Sequence, residues 1–434
     1  MNVIGPARQG ALVALGEVRK GLTVSDALRS AKMLSGPDRA LETQLVYGAL
    51  RHRRYLDVWI ARYRPGWLDG VVRDILRLAF FQLGFLDRVP DYAVVNAAVE
   101  QAKQVNPGAA LLVNAVLRRG QHHPPRPDSL TLGERYSHPD WLVEKWRHRY
   151  GEGTESVLHA NNRIPPLMLR VNVKRESREK ILQDLKAQGL HAIRSLYLPE
   201  SIRVTGSLWL EDIAAFRQGL VTVQDESSML VGWVLNAQPG DDVVDMAAGV
   251  GGKAIHVLER TDGAAHLTAL DISRDRLSLL DENLRRTGYQ DAGRVVCQAA
   301  ETFAQTHSGE FDRVLLDAPC SGLGVLRRRV DAKWTKQPDQ FMDLTRRQVM
   351  LLNAAVRLAK PNGVMVYSTC STEPEETLEV IDQVIRDGDV ALEDATAYLP
   401  HPKLRDFVTQ GMVVLAPGDL DMDGFFIARL RKRR

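Results

Sequence analysis

The chain has 434 residues, 44% of them hydrophobic and 26% charged, which is the composition of an ordinary globular protein with room for two or three domains. Its three cysteines, Cys297, Cys320 and Cys370, are too few for a disulfide framework and favour a reducing compartment. No run of residues approaches the roughly 18 apolar residues of a membrane span, and no Cys-x-x-Cys or His-x-x-x-His spacing suggests a metal site. The N-terminus lacks the apolar core of a signal peptide. We therefore expect a cytoplasmic protein with no metal and no membrane association.

The net charge of +3 is unevenly distributed along the chain. Residues 1–130 contain 18 Lys and Arg against 11 Asp and Glu, an excess of seven positive charges, so the remainder carries a net charge of −4. Neutralised phosphates supply most non-specific affinity for nucleic acids, so the N-terminal basic residues are candidates for a phosphate-binding surface. A solvated helical face explains them equally well. These residues are Arg51, His52, Arg53, Arg54, Arg62, Arg64, Arg118 and Arg119. The run Arg327-Arg328-Arg329 is a second candidate for contact with a nucleic-acid backbone, with a solvated loop as the alternative.

The first 120 residues have the apolar spacing of amphipathic helices. Breaks are predicted at Pro65-Gly66, Pro90-Asp91 and Pro107-Gly108, with Asp91 as the N-cap of the helix that follows it. The stretch ILRLAFFQLGFLDRVPDYAVVNAAVEQAK, followed by LLVNAVLRRG, resembles the helical RNA-binding domain of the NusB antitermination family over most of residues 6–120. The sequence therefore predicts an all-α, NusB-like N-terminal domain over residues 1–130.

Residues 131–235 are predicted to form a linker helix and a small α+β domain. Residues 122–133 are rich in Pro and His and read as a linker, and SHPDWLVEKWRHRYG is typical of a short helix. Strands are then predicted at 167–172, 202–204 and 219–223, with a helix at 177–189. This order of elements indicates an α+β domain and, by itself, no function.

Strands and helices alternate after residue 240, which predicts a C-terminal α/β domain of Rossmann-like type over residues 236–434. A strand at 242–245 leads into the glycine-rich loop of residues 246–253, whose backbone can approach a ligand closely. The next strand ends in Asp271, twenty-two residues after Gly249, where such folds place an acid on ribose hydroxyls. Asp271 as a simple cap for a helix beginning near Arg274 is the alternative. The loop lacks Gly-Lys-Ser/Thr, which argues against a P-loop nucleoside triphosphatase.

A thiol follows each of two predicted strands. The run 313–316 ends in Asp317-Ala318-Pro319-Cys320, and the run 363–370 ends in Cys370. Such strand ends meet at the edge of an open α/β sheet where ligands bind, so one pocket is expected. Taken singly, either cysteine is explained as a small buried residue.

The chemistry at this edge must distinguish a methyltransferase from a nicotinamide dehydrogenase. Hydride transfer needs no pair of thiols, whereas methylation of C5 of cytosine has a reason for both. A thiolate that adds to C6 makes C5 nucleophilic. A carboxyl group that hydrogen-bonds the base stabilises the developing charge, and a base must then remove the C5 proton so that the thiol can leave.

Five stretches carry a family resemblance, namely DVVDMAAGVGGKAIH, LTALDISRDRLSLLDENLRRTG, VLLDAPCSGLGVLRRRVDAKW, VMVYSTCSTEPEE and DGFFIARLRK. In these stretches the chain resembles the RNA 5-methylcytosine methyltransferases of the NOL1/NOP2/Sun family, and its NusB-like N-terminus narrows the resemblance to the bacterial ribosomal RNA enzymes of that family. It implies that Cys370 is the nucleophile, that Cys320 helps to release the product, and that Asp317 beside Pro319 faces both methyl donor and base. It further implies a 16S ribosomal RNA substrate, unassembled or partly assembled, and leaves protein partners unknown. The implied S-adenosylmethionine site consists of Ala247, Ala248, Gly249, Val250, Gly251, Gly252, Lys253, Asp271 and Asp317.

Several positions depart from the family pattern. Val250 replaces the usual proline of the glycine loop, Val330 replaces Pro, and Thr377 replaces Asn. The family usually has an Asp that binds the adenine amino group where this chain has Ala299-Ala300, and Glu301 is the nearest acid. The changes at Val250 and Ala300 leave a second hypothesis open, a non-catalytic RNA-binding or ribosome-assembly factor on a methyltransferase scaffold that has lost its cofactor through them. A DNA target is a weaker alternative, because the N-terminal domain resembles an RNA binder.

Overall fold

The computed structural model describes residues 4–30, 34, 36–205 and 210–433. The chain divides into two compact units, one of Met1–Ile164 with Leu326–Lys336 and one of Pro165–Val325 with Gln337–Arg434. This division differs from the predicted domains 1–130, 131–235 and 236–434. Within the part of the chain that the structure describes, no helix is long and apolar enough to span a membrane.

The first unit is helical, as predicted, around a core that includes Leu45, Trp59 and Phe80. Asp91 is the first residue of its helix and Pro90 the N-cap, so the prediction of Asp91 as N-cap was wrong by one position. An acid in the first turn is still favourable, because the N-terminus of a helix carries partial positive charge. The helices are α1 Pro6–Arg19, α2 Val24–Ser30, α3 Gly36–Arg51, α4 Arg53–Tyr63, α5 Gly70–Phe85, α6 Asp91–Val105, α7 Ala109–Gly120, α8 Leu132–Arg135, α9 Asp140–Tyr150 and α10 Thr154–Ala160.

The short helices α8 to α10 belong to this unit because they are tied to α4. The Arg54 guanidinium donates to both carboxylate oxygens of Asp140, at 2.7 and 2.9 Å, and to the His138 carbonyl at 2.7 Å. Leu142 and Trp146 of α9 are buried. These contacts join residues more than 80 positions apart, so helical periodicity in the sequence carries no sign of them.

The second unit begins with a small antiparallel sheet in the order β2-β3-β1-β4. This confirms the predicted α+β domain, although β2 was missed because only one of its four residues is buried. Helix α11 begins after Ser177, whose side chain accepts from the Lys180 N–H. The elements are β1 Leu167–Val171, α11 Arg178–Ala187, β2 His191–Arg194, β3 Ser201–Thr205, α12 Ala214–Arg217 and β4 Val221–Val223.

The remainder of the second unit is built on a nine-stranded mixed sheet in the order β11-β12-β13-β9-β8-β5-β6-β7, with β10 paired to β13. Strands β9, β8, β5, β6 and β7 are parallel, which confirms the Rossmann-like prediction. The elements are α13 Glu226–Leu235, β5 Asp242–Asp245, α14 Gly252–Arg260, β6 His266–Asp271, α15 Arg274–Thr287, β7 Gly293–Cys297, α16 Ala300–Thr306, β8 Phe311–Asp317, α17 Ala332–Thr335 (in the first unit), α18 Gln340–Leu358, β9 Ala359–Thr369, α19 Leu378–Arg386, β10 Val390–Glu393, β11 Val408–Thr409, β12 Met412–Leu415 and β13 Phe425–Lys432.

The strand order reverses at β5, which lies between β6 and β8. The crevice beyond the carboxyl ends of strands at such a reversal is where open α/β sheets bind ligands. The loops that follow β5, β6, β8 and β9 therefore delimit the candidate site.

The segment Leu326–Lys336 leaves the sheet domain and folds with the helical unit. Val330 is fully buried in the helical core, and the Trp334 indole N–H donates to the Leu50 carbonyl at 2.9 Å. The Lys333 ammonium, also fully buried, donates to Asn162 Oδ1 at 2.6 Å. The chain that follows the first thiol loop is thus an integral part of the helical unit.

Candidate active site

The glycine-rich loop after β5 is shaped by glycines with positive φ. Gly249 has a φ of 56° and Gly251 one of 91°, a region that side chains disfavour. A Cβ at Gly251 would lie 2.1 Å from Leu280 Cδ1, whereas one at Gly249 or Gly252 would meet nothing within 4 Å. The loop therefore packs on α15 at Gly251 and presents bare backbone to open space on either side.

Val250 replaces the usual proline without disturbing this loop. Its side chain is 46% exposed, and its carbonyl accepts from Asn283 Nδ2 of α15 at 3.1 Å. A hydrogen bond from the neighbouring helix thus restrains the position that a proline ring would otherwise stiffen.

Asp271 lies at the end of β6, beside the loop, and is 6% exposed. Its Oδ2 accepts from the Gly249 N–H at 3.0 Å, and its Oδ1 accepts from the Ser273 N–H at 2.8 Å. The N-cap of α15 is Ser273, whose side chain accepts from Arg276 N. Asp271 is therefore not the cap of that helix. It joins the glycine loop to the next strand and still has lone pairs free for hydroxyl donors.

Asp317 ends β8 and accepts hydrogen bonds on both oxygens. The Lys253 ammonium donates to Oδ2 at 2.7 Å, and the Ser368 hydroxyl of β9 donates to Oδ1 at 2.9 Å. Lys253 is the first-turn lysine of α14, so this ion pair connects the glycine loop to the strand that carries Cys320. The Asp317 side chain remains 33% exposed and can reach a ligand.

Asp245 is a buried carboxyl group that the sequence did not indicate as part of the site. It ends β5, is 1% exposed, and accepts from the Ala247 N–H at 3.2 Å. Burial raises the pKa of Asp245 to about 7, with the charges of Asp317 and Asp271 adding to the effect. The Asp245 carboxyl group therefore binds its proton more tightly than an ordinary aspartate does, and it lies near the carboxylates of Asp271 and Asp317, which face the ligand crevice.

Cys320 and Cys370 meet as the sequence predicted, with their Sγ atoms 3.3 Å apart. Each follows a strand of the same parallel pair, in which Asp317 lies opposite Ser368. Both thiols are partly exposed and unoxidised. Cys297, the third cysteine, is exposed at the end of β7 and is not part of this pair.

The two thiol loops approach each other so closely that one position between them must be glycine. The Gly324 N–H donates to the Cys370 carbonyl at 3.0 Å. A Cβ at Gly324 would lie 2.2 Å from the Gly424 carbonyl oxygen and 2.9 Å from the Cys370 carbonyl oxygen. The spacing of the thiols is therefore held by backbone contacts as well as by side chains.

The Cys320 thiol has its pKa raised well above the ordinary value. The causes, largest first, are its hydrogen bond with Cys370, burial, and the charges of Cys370, Glu376 and Asp317. The raised pKa favours the protonated form of Cys320, and in that form the thiol can donate to the Cys370 sulfur, although the geometry allows either sulfur to be the donor. A donated hydrogen bond favours the thiolate form of the acceptor, which is the nucleophilic form.

S-adenosylmethionine, the cofactor that the resemblance implies, fits the residues of this crevice. The open space above Gly249 and Gly252 lets the ligand approach the backbone, and Asp271 and Asp317 offer acceptors for its hydroxyl and ammonium donors. The apolar side chain of Ile272, directly after Asp271, is 63% exposed and offers a surface for an aromatic base. Ala300 is buried at the start of α16 and Glu301 is half-buried in its first turn, so an adenine contact from Glu301 stays a prediction.

The arginines predicted to bind phosphate divide into two groups in the helical unit. Arg51 is buried and donates to the Arg327 carbonyl at 2.8 Å, and Arg53 lies over the Trp334 ring. Burial lowers the pKa of Arg51 to about 10 and that of His52 to about 3. The run 51–54 is therefore structural, and the idea that Arg327, also buried, contacts RNA was wrong. Arg62, Arg118, Arg119 and Arg329 are exposed.

Sequence reasoning missed three residues that support the first thiol loop, namely Ser321, Gln348 and Glu376. All three are buried, and they are joined by hydrogen bonds across 28 to 55 positions. The only signal in the sequence was the acidic run after Cys370, which reads as a solvated surface when its burial is unknown.

Family comparisons match most of the chain in three consecutive parts. Residues 6–121 match the NusB family, residues 138–210 match a ferredoxin-like domain of RsmF/B-like methyltransferases, and residues 232–431 match the family described as 16S rRNA methyltransferase RsmB/F. A probable ribosomal RNA small subunit methyltransferase B of Bacillus subtilis is 33% identical, with 98% of each chain covered. A ribosomal RNA small subunit methyltransferase B of Vibrio vulnificus is 33% identical, with 96% of each covered.

Two solved structures are also similar to this chain. The crystal structure of PH0851 has a TM-score of 0.82 and 25% identity, with 99% of each chain covered. NSun6 from Pyrococcus horikoshii with SFG has a TM-score of 0.60 and 23% identity, covering 68% of this chain and 98% of the other. The second likeness supports the fold alone.

Proposed function

Because the chain belongs to the 16S rRNA methyltransferase family RsmB/F, we propose that it methylates C5 of a cytosine in small-subunit ribosomal RNA. The methyl donor is S-adenosylmethionine, and the reaction passes through a covalent bond between Cys370 and C6 of the base. The observation that carries this proposal is the pair of thiols 3.3 Å apart at the ends of neighbouring parallel strands, next to Asp317. A methyl transfer that needed no covalent activation of the base would have no use for two such thiols.

Cofactor binding is assigned to the glycine loop and to Asp271. Residues 247–253 hold the ligand against open backbone, and Asp271 accepts from its ribose hydroxyls while it restrains Gly249. S-adenosylmethionine, when bound, supplies the methyl group as an electrophilic carbon. Lys253 keeps the Asp317 carboxylate oriented, so that its exposed edge is available to the N3/N4 side of the cytosine.

The bonds change in four steps around the two thiols. The Cys370 thiolate adds to C6, and the electron pair of the C5=C6 bond moves to C5. The electron pair on C5 then forms the bond to the methyl carbon, while the bond from that carbon to the donor sulfur breaks and leaves its electron pair on sulfur. Cys320 next loses its proton to solvent, and its thiolate takes the proton from C5. The C5–H pair re-forms the C5=C6 bond, and the C6–S pair returns to Cys370, so each turnover releases one proton.

The causes that raise the pKa of Cys320 support this order of steps. The largest cause is the hydrogen bond with Cys370, and that bond is lost once the Cys370 sulfur is bonded to carbon. Cys320 therefore ionises more easily after attack than before it. A thiol that is held protonated in the resting enzyme becomes available as a base at the stage where a base is required.

The experiment compares three cysteine variants on a structured RNA fragment with an unpaired cytosine, because extruding a stacked base costs a few kcal/mol. Cys370→Ala removes the nucleophile and should abolish both methylation and the protein–RNA adduct. Cys320→Ala should allow attack and methyl transfer but stall release, so that an adduct accumulates on a denaturing gel. Cys297→Ala is the matched control, since Cys297 lies outside the pair, and should behave as wild type.

Other outcomes would contradict the proposal in distinguishable ways. An adduct with Cys370→Ala alone would reverse the roles of the two thiols, and full methylation by both variants would exclude the two-thiol mechanism. If the purified wild-type protein shows no binding when titrated with S-adenosylmethionine, the non-catalytic assembly factor becomes the better explanation.

A further inference from the structure

Glu376 is a fully buried carboxylate close to the thiol pair, and the mechanism above gives it no part. It ends a short 3-10 turn, Pro374–Glu376, that follows the Cys370 loop. Burying a carboxylate is costly unless its oxygens are well supplied with donors. The donors that the described residues supply to it are all neutral, so no ion pair accounts for its place there.

The donors to Glu376 come mainly from the residue after Cys320. Oε1 accepts from the Ser321 N–H at 2.7 Å, and Oε2 accepts from the Ser321 hydroxyl at 2.5 Å. Gln348 of α18 donates to Oε1 at 3.1 Å and also to the Pro319 carbonyl at 2.9 Å. The two residues that flank Cys320 are thus both held by the Gln348–Glu376 pair, one on each side of the thiol.

The backbone of Glu376 is anchored to the strand that carries the other thiol. The Tyr367 hydroxyl of β9 donates to the Glu376 carbonyl at 2.8 Å, and Tyr367 is fully buried. The hydroxyls of Ser321 and Ser371 lie 3.3 Å apart, which adds a direct link between the loops. Glu376 therefore contributes to the separation of Cys320 from Cys370, together with the backbone contact between Gly324 and Cys370.

We propose that Glu376 is a positioning residue for the methylation reaction, an assignment that rests on the proposed function. Its carboxylate holds the Cys320 turn in register with Cys370 and places a fixed negative charge beside the Cys320 thiol. The charge has two effects on the reaction. It favours the state in which Cys320 is protonated and Cys370 carries the thiolate, and it makes the Cys320 thiolate a stronger base when the C5 proton must be removed.

The groups that face Cys320 from the surrounding elements are few. Cys370 follows β9, Asp317 ends β8 and is paired with Lys253 of α14, and Tyr367 lies within β9. Of these, Asp317 and Lys253 are in the proposed cofactor and base site, so changing them would disturb ligand binding. Glu376 is the charged neighbour that can be altered without touching that site.

The test uses two variants of the full-length protein that separate charge from geometry. Glu376→Gln removes the charge, and Ser321→Ala removes one hydrogen bond but keeps the charge. The first measurement is the rate at which iodoacetamide alkylates Cys320 as a function of pH, resolved from Cys297 and Cys370 by peptide mass spectrometry. The second is kcat and KM for methylation of the RNA fragment, and the melting temperature reports folding.

We expect the pH midpoint of Cys320 alkylation to fall by about 1 pH unit in Glu376→Gln and to stay at the wild-type value in Ser321→Ala. We expect kcat to fall by about 10- to 100-fold in Glu376→Gln, because small displacements of catalytic groups have effects of that size, while KM for S-adenosylmethionine stays unchanged.

Three results would overturn the assignment: an alkylation midpoint unmoved by Glu376→Gln, an unchanged kcat, or a loss of activity with a raised KM for the cofactor. If Glu376→Gln does not fold, Gln348→Met tests the same turn, and wild-type kcat in that variant would equally overturn it. The alkylation profile needs no RNA and no methylation. If the wild-type protein forms no 5-methylcytosine, the proposed function is refuted. The alkylation profile of Cys320 would still show whether Glu376 affects that thiol.

Discussion

Asp245 makes the stability of the protein depend on pH in a direction that can be measured. Its carboxyl group is buried at the end of β5, and burial raises its pKa to about 7 from 3.8. A group whose pKa is raised by folding contributes stability that is fully present below its unfolded pKa. That stability is lost as the pH rises through the folded pKa. The free energy of unfolding should therefore fall between about pH 4 and pH 7 on account of this residue.

The magnitude follows from the two pKa values. They differ by about 3 pH units, and each pH unit corresponds to 1.36 kcal/mol, so the full effect is about 4 kcal/mol. The variant Asp245→Asn is neutral at every pH and keeps an acceptor for the Ala247 N–H. Relative to wild type, it should become more stable by about 4 kcal/mol as the pH is raised from 4 to 8.

The assay is urea unfolding of both proteins at pH 4, 5, 6, 7 and 8. The difference in unfolding free energy between the two proteins is plotted against pH, so that the contributions of all other groups cancel. Asp242→Asn is the matched control on the same strand, because a hydrogen bond from Lys360 lowers the pKa of that carboxyl. Asp242 is ionised across this range, so its variant should show a constant difference from wild type. Parallel curves for wild type and Asp245→Asn would refute the reasoning.

Two further predictions concern the ligands. The variant Asp271→Asn has only one side-chain oxygen that can accept hydrogen bonds, so we expect the glycine loop to be held less firmly. Calorimetric titration should then give an affinity for S-adenosylmethionine weaker by roughly 1–3 kcal/mol. An unchanged affinity would show that Asp271 has no part in cofactor binding. Replacing the exposed Arg118 and Arg119 by Ala should weaken RNA binding and reduce the slope of log affinity against log salt by about 1 to 2. The slope is measured by fluorescence anisotropy, and the control variant Arg51→Met should keep the wild-type slope. If the double variant also keeps the wild-type slope, Arg118 and Arg119 do not contact phosphate.

Local pattern was sufficient to predict much of this protein from its sequence. The apolar spacing of the first 120 residues predicted helices because a helix repeats within four residues. The strand-and-loop runs that end in Asp245, Asp271, Asp317 and Cys370 could be recognised because each combines a β-rich apolar stretch with turn residues in a single short segment. Since parallel strands end at one edge of a sheet, two thiols at strand ends were expected to share one pocket.

Tertiary structure decided which charged residues are buried and what they contact. Arg51 and Arg327 read as phosphate binders in a basic sequence, yet both are buried in the helical unit, because the segment Leu326–Lys336 folds back onto residues some 280 positions earlier. Nothing local in the sequence distinguishes Glu376 from the acids beside it, yet it is fully buried and holds the turn after Cys320. The burial of a side chain is set by packing between distant segments, and composition and periodicity, which are properties of neighbouring residues, do not record it.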